Sequence, residues 1–379
     1  MDFELSLEHR ILKETVDRFA KEVAAPLVEP SEERGIFPRE LFEEAAALGF
    51  TGVLYPEKYG GSGPDMIAAA LVLEGISKVS ASFGIAFVVQ NSVGTEVIYR
   101  FGSEELKEKF LAPAIRGEKI TAFGLTEPKG GSDAASIICK ATFENGYYVI
   151  NGSKMFISNA HISDFAIVAV RTQKDAPRGK GITLLVVDRR ESPYQTNPLK
   201  KMGLHGVDTS EVVFDNCRVP EKNRIGEEGK GFEYLLSILT SSRVLIGAVA
   251  LGVAKASYEA AVRYSNERMQ FGRPLSHHQA IRHKLANMYM ETELAELAVY
   301  KAAWLYNEGK LHTREAAICK LYASEVANRN ASEAVQIHGG YGYMKEYPVE
   351  RYYRDAKSLT IVEGTSEIQR NVISKYIIQ

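Results

Sequence analysis

The apolar residues change period twice along this chain, and that change sets the order of its structural layers. From about Ile120 to Val219 the sequence alternates and carries turn punctuation, while on both sides apolar positions recur at helical spacing. A period near two belongs to strands and one near 3.6 to helices. The expected order is helices, sheet, helices. In the first part Leu7, Ile11, Val16, Phe19 and Val23, with Leu12 beside Ile11, lie along one helical face. Ser6 reads as its N-cap and Pro26 as its stop. Pro38 opens a second helix, Leu41, Phe42, Ala45 and Leu48 line its buried side, and Gly49 ends it. After the loop Tyr59 to Pro64, more helix is expected from about Met66 to Leu111.

In the middle part, Asn145-Gly146 before the run Tyr147 to Asn151 is a two-residue hairpin signal, and Asn151-Gly152 reads as a second turn. Phe165 to Val170, Ile182 to Val187 and Glu211 to Phe214 are strand-like runs, with Gly179-Lys180-Gly181 a flexible link into the second. After Gly231 the runs Ile246 to Tyr264, Leu285 to Leu305 and Ala316 to Ala334 are helical. At 379 residues, two or three domains are expected. A net charge of -2 gives no reason to expect a nucleic-acid partner. Cys139, Cys217 and Cys319 form no Cys-x-x-Cys pair and read as reduced core thiols. The N-terminal stretch Met1 to Leu5 is acidic and lacks the apolar core of a signal peptide, and no stretch approaches eighteen uninterrupted apolar residues. A cytoplasmic chain without a membrane span is the expectation; a mature mitochondrial chain would look the same.

Near the C-terminus a lone carboxylate, Glu363, stands between Leu359, Ile361 and Val362 and the glycine Gly364. A carboxylate held against apolar neighbours loses solvation, so its pKa rises and it becomes a better base. The other reading is a helix-start acid preceding Thr365 to Arg370. Gly339-Gly340-Tyr341-Gly342 follows helical sequence, so it is not the phosphate-binding turn of a nicotinamide fold. Adjacent His277 and His278 point apart on a helix and have no carboxylate or cysteine set beside them, so no metal site is assigned.

Four blocks resemble one family in order and content: Phe123-Gly124-Leu125-Thr126-Glu127-Pro128-Lys129-Gly130-Gly131-Ser132-Asp133; Glu267 to Leu275; Gln336-Ile337-His338-Gly339-Gly340-Tyr341-Gly342; and Arg354-Asp355-Ala356-Lys357 followed by Glu363 to Arg370. They are similar to the acyl-CoA dehydrogenases. That resemblance implies an α+β, mostly α fold: an N-terminal helical domain (1–118), a middle β-barrel-like domain (119–225) and a C-terminal four-helix-bundle domain (226–379). It also implies FAD, since side chains accept no hydride themselves.

By the same resemblance, Phe123, Leu125, Thr126, Gly131 and Ser132 would cradle the flavin, the small residues letting backbone N–H groups approach a pyrophosphate. Phe156 would lie against the isoalloxazine, flanked by Ile157, with Ser158 bonding near N5; plain core packing is the competing reading for Phe156. Arg268 would bind FAD phosphate from a neighbouring subunit, because a guanidinium fork matches phosphate oxygens. Phe271, Leu275, His278 and Gln279 would help seat the adenosine half. Gln336, Gly339 and Gly340 would approach across the subunit contact, and Thr365 and Glu367 complete the set.

Glu363 would be the base that takes the Cα proton of an acyl-CoA thioester. Ser242 stands before Arg243, where some relatives carry the base, and serine cannot serve as one. Ser132, Thr240, Arg243 and Gly364 would contact the substrate. An arginine that relatives use for a distal carboxylate would fall at Gly84. No cation lies between Ser82 and Val89, and Phe83, Ile85, Phe87 and Val88 suggest an uncharged acyl group. Val362 stands where relatives often have tyrosine, leaving space for a branched or cyclic chain. An electron-transfer flavoprotein as acceptor and a homotetramer are implied. An oxygen-using acyl-CoA oxidase and a non-catalytic acyl-CoA or flavin-binding scaffold are the alternatives.

Overall fold

A computed structural model of the chain describes residues 4–310 and 313–378. Residues 1–3 of the acidic N-terminal stretch read above lie outside them. The first part is helical: α1 (Leu7–Phe19), α2 (Ala25–Arg34), α3 (Glu40–Ala47), α4 (Met66–Val79), α5 (Ala81–Val88), α6 (Glu96–Phe101), α7 (Glu104–Leu106) and α8 (Ala112–Ile115). Ser6 caps α1 by accepting from the His9 N–H. Pro26 does not stop the helix. Ala20–Ala24 widen into a π turn in which the Ala25 N–H reaches back to Ala20 C=O, and Pro26 falls in the first turn of α2, where its missing N–H goes unneeded. Leu7, Ile11 and Leu48 are exposed, so the buried faces rest on Val16 and Phe19 in α1 and on Leu41, Phe42 and Ala45 in α3. The run from Met66 to Leu111 is broken at Ser80 and Ser103, extended residues that cap new helices through their hydroxyls, and again at the Gly94-Thr95 turn before α6.

The middle part is one sheet of β1 (Thr121–Gly124), β2 (Lys140–Glu144), β3 (Tyr147–Ser158), β4 (Phe165–Arg171), β5 (Ile182–Asp188), β6 (Gln195–Pro198), β7 (Thr209–Pro220) and β8 (Arg224–Ile225). Its order is β6-β7-β3-β2-β4-β5-β8, with β1 parallel to β4. β2 and β4 join only at Lys140 and Arg171. The two halves fold over a shared core, Ile150, Val212 and Phe214 from one meeting Val168, Leu185 and Val187 from the other. Asn145-Gly146 turns β2 into β3 with both φ positive. Asn151-Gly152 is not a turn. It lies inside β3 at a register slip against β7, and a Cβ on Gly152 would come within 3.0 Å of Cys139.

The last part holds α9 (Gly231–Glu267), the small hairpin β9 (Met269–Gln270) and β10 (Arg273–Pro274), α10 (Gln279–Asn307), α11 (Thr313–His338), α12 (Val349–Leu359) and α13 (Ser366–Ser374). The helices α9, α10 and α11 pack on one another, α4 packs on α9 and α10, and α12 and α13 close against α11. By length and composition α9 could cross a membrane, but 78% of its most apolar window is buried inside the fold, as in the core helix of a bundle. Cys139 and Cys217 lie in the sheet core and Cys319 in the helical core, all three as free thiols.

Candidate active site

The segment between α12 and α13 turns sharply, and Glu363 sits at its corner with φ +54 beside Gly364 at φ +90. A non-glycine residue in the left-handed region is strained and persists only where its surroundings hold it. Here they do. Ser242 Oγ, on α9, donates to Glu363 Oε2 at 2.8 Å. Gln369 Nε2, on α13, donates to the Glu363 and Gly364 carbonyls at 3.0 and 2.9 Å. Lys320 Nζ, on α11, donates to the Gly364 carbonyl at 2.8 Å. Thr365 caps α13 by accepting from the Ile368 N–H. The Glu363 N–H itself has no acceptor among the described residues.

Burial raises the Glu363 carboxyl pKa above the ordinary range, opposed by the Ser242 hydrogen bond and by the Arg243 and Lys320 charges. Arg243 is buried, and its Nε has no partner among the described residues. The result is a desolvated carboxylate with two cations near it and a buried guanidinium Nε without a partner among the described residues. That set can take a proton from carbon and meet a polar ligand beside it. Thr240 lies on the same helix α9, and its hydroxyl meets Thr313 Oγ1 at 3.4 Å, at the start of α11.

A second group of residues gathers where β1 meets β3. Phe123 and Leu125 are partly buried, Thr126 is half-exposed, and Gly131 and Ser132 stand on the open loop behind them. Phe156 is not a core residue: it is 65% exposed with φ +62, at a bulge of β3 against β7. An exposed aromatic ring in a strained backbone suits a platform for a flat ligand. The Ile157 side chain turns into the sheet core, with the residue paired to Ser210 of β7, and Ser158 is half-buried at the end of β3. The loop is anchored by a pair that the motif reading missed. Lys154 Nζ donates to Glu127 Oε1 at 2.7 Å, with side chains 0% and 4% exposed. Glu127 also accepts from the Ile138 and Cys139 N–H groups, and the Met155 N–H donates to Thr126 C=O at 2.8 Å.

A third group lines a cavity of about 530 Å³ at the end of α9 and α11: Arg268, Leu275, Gly339 and Gly340, with Tyr264, His338 and Tyr341. Arg268 lies over the Tyr341 ring at 5.4 Å. Phe271, 93% exposed with φ +53, projects from the tip of the β9–β10 hairpin, and His278 Nε2 lies 3.2 Å from Gln270 C=O. Gln279 and Gln336 are exposed near this cavity without lining it, and Glu367 is exposed in the first turn of α13. Among the described residues, no hydrogen bond or ion pair joins this group to the β1–β3 group.

Phe83 and Phe87, read above as suggesting an uncharged acyl group, are fully buried in an aromatic cluster with Phe37 and Phe42. Their apolar character is accounted for by that packing. At Gly84 a side chain would meet Ser77 Oγ at 2.0 Å, so the position is filled from α4. Lys320 had a visible signal, a lysine on the apolar face formed by Ala316, Ala323 and Ala327. Ser242 had none beyond its place before an arginine.

Known proteins share this fold. Three family models match in order: acyl-CoA dehydrogenase N-terminal domain over residues 6–118, middle domain over 122–217 and C-terminal domain over 229–378. A probable acyl-CoA dehydrogenase of Bacillus subtilis is 44% identical over 381 residues, covering 100% of both chains. The butyryl-CoA dehydrogenase structure from Megasphaera elsdenii superposes with TM-score 0.96 at 42% identity, again covering 100% of both chains. A chain from the Acidaminococcus fermentans electron transferring flavoprotein structure, described in connection with flavin-based electron bifurcation, superposes with TM-score 0.97 at 39% identity and full coverage of both.

Proposed function

The chain belongs to the acyl-CoA dehydrogenase family, a family of FAD-dependent oxidoreductases, and from that premise we propose that Glu363 removes the Cα proton of its acyl-CoA substrate. The observation that carries this is the strained Glu363 turn, held by three side chains from three helices. When bound, FAD supplies the acceptor for the Cβ hydride. The chain's residues do the rest. Glu363 must be ionised to accept the proton, and its raised pKa makes it a stronger base once ionised. Its free backbone N–H is available to the thioester oxygen as negative charge builds there. Arg243 adds a buried positive charge on the same side.

Thr126, Ser158 and the exposed Phe156 ring form the isoalloxazine cradle in this reading, and the loop with Gly131 and Ser132 takes the pyrophosphate. Arg268, Phe271, Gln279, Gln336 and Gly340 serve the cofactor of a neighbouring copy in this reading, and a homotetramer satisfies this need. We read residues 1–118, 119–225 and 226–379 as the three domains. Electrons pass to an electron-transfer flavoprotein, in keeping with the relative from Acidaminococcus fermentans. The missing cation at Gly84 and the small Val362 favour an uncharged short-to-medium acyl group, branched or cyclic.

Anaerobic addition of acyl-CoA should bleach the bound flavin in the wild type and leave it yellow in Glu363→Gln, with flavin content equal in both. Bleaching at the normal rate in that variant would remove Glu363 from the mechanism. Initial rates with butyryl-, isobutyryl-, octanoyl- and cyclohexanecarboxyl-CoA test the acyl reading, which fails if only straight chains turn over.

A further inference from the structure

We propose that Lys320 is a positioning residue that holds the base-bearing turn in its left-handed form; this rests on the reading of Glu363 as the base. Lys320 is fully buried, on a helix face otherwise lined by Ala316, Ala323 and Ala327. An ammonium taken out of water without a carboxylate in contact is costly, and such a group is a liability to a fold unless it does something there. Its Nζ donates to the Gly364 carbonyl, at 2.8 Å. That carbonyl belongs to the second of two successive left-handed residues, Glu363 and Gly364.

Gln369 is a weaker clamp alone, because its one amide is shared between two carbonyls. It also sits on α13, the helix that follows the turn, and moves with it. Lys320 sits on α11, which packs on α9, the helix that carries Ser242 and Arg243. Lys320 therefore ties the turn to the rest of the site. The charged groups facing it are Glu363, Arg243 on α9, Glu367 on α13 and Glu325 on its own helix. Burial brings the Lys320 ammonium down to about 8, with Glu363 holding it up and Arg243 pressing it lower. Both the carboxylate and the free N–H of Glu363 depend on this one backbone geometry, so a small tilt misplaces the base and the oxyanion donor together.

The test compares wild type, Glu363→Gln, Lys320→Met and Lys320→Gln as flavin-loaded proteins. In Lys320→Met, kcat should fall about ten- to hundredfold with KM nearly unchanged, as for a misaligned base. The rising limb of kcat against pH should move upward, because a cation that favours the carboxylate is gone. Amide hydrogen exchange over residues 361–367, read without substrate, should quicken. Lys320→Gln keeps a donor and drops the charge, so it should recover kcat at high pH while its limb stays displaced; it carries the same test if Lys320→Met does not fold. Wild-type kcat, limb and exchange in these variants overturn the inference while an inactive Glu363→Gln leaves the base reading standing. Full turnover in Glu363→Gln overturns both.

Discussion

Ser242 Oγ and Glu363 Oε2 lie 2.8 Å apart, so the residue that cannot act as a base is the one that holds the base. A hydroxyl donating to a carboxylate favours its ionised form. Burial has already raised the Glu363 pKa, and Ser242 restrains that rise. In Ser242→Ala the pKa climbs further. The active form is the carboxylate, so the rising limb of kcat against pH should shift upward by about one unit, the effect of losing about 1.5 kcal/mol of charge-assisted hydrogen bond. The rate difference should be largest at low pH and vanish above the limb. A limb that stays in place would show that this bond is not made in the working enzyme.

The Lys154–Glu127 pair lies under the loop of Thr126 and Ser132 and is closed to water. Removing one member strands the other. Lys154→Met should lower unfolding stability by about 3–5 kcal/mol, less whatever the Ile138 and Cys139 N–H groups return to Glu127. The double variant Lys154→Met/Glu127→Gln should regain part of that loss. Denaturant unfolding and flavin content measure both effects, and an unchanged midpoint in Lys154→Met would refute the anchoring role.

Phe156 is exposed and left-handed, a combination with no benefit to folding alone. Phe156→Gly should relieve strain of about 1 kcal/mol. The apoprotein should melt no lower than wild type, while FAD should dissociate more readily. Calorimetry of the apoprotein together with fluorescence titration of FAD separates the two. Destabilised apoprotein with undiminished FAD affinity would argue that the ring packs instead of receiving a ligand.

Asp355 Oδ1 accepts the Leu204 N–H at 2.6 Å, joining α12 to the loop that leads into β7. Burial first, and then the Glu32 carboxylate, push the Asp355 pKa from the ordinary 3.8 up to about 7. The folded chain thus binds a proton that the unfolded chain releases near pH 4. The stabilising contribution is complete below that pH and is lost as pH climbs through 7. Asp355→Asn keeps the acceptor without the charge. Its melting temperature should exceed that of wild type at pH 8, with a flatter profile from about pH 4 to 7. An unaltered profile would assign the pH dependence elsewhere.

The layer order was legible because periodicity is a local property. Asn145-Gly146 was read correctly as a hairpin, since its two positive φ values are set by the dipeptide itself. The same logic failed at Asn151-Gly152, where the glycine answers to Cys139 on the neighbouring strand. Pro26 misled because a π turn can absorb a proline, and the residues supply no sign of one. Of the site, Glu363 was visible as a carboxylate among apolar residues, but its holders were not: Ser242 is 121 residues away and Lys320 is 44 from the carbonyl it meets. Long-range partners of this kind are chosen by tertiary packing. Phe83 and Phe87, apolar residues that suggest an uncharged acyl group, also pack against Phe37 and Phe42, which the residues alone do not reveal.

The three cysteine thiols are sealed in two separate interiors, and burial pushes them up to about 11 at Cys139 and about 12 at Cys217 and Cys319. None offers a thiolate near neutrality, so none is a ready nucleophile while the fold stays closed. The sulfurs instead act as silent reporters. An alkylating dye that marks Cys139 and Cys217 would reveal an opening of the sheet, and one that marks Cys319 an opening of the helical bundle, each before the whole chain melts.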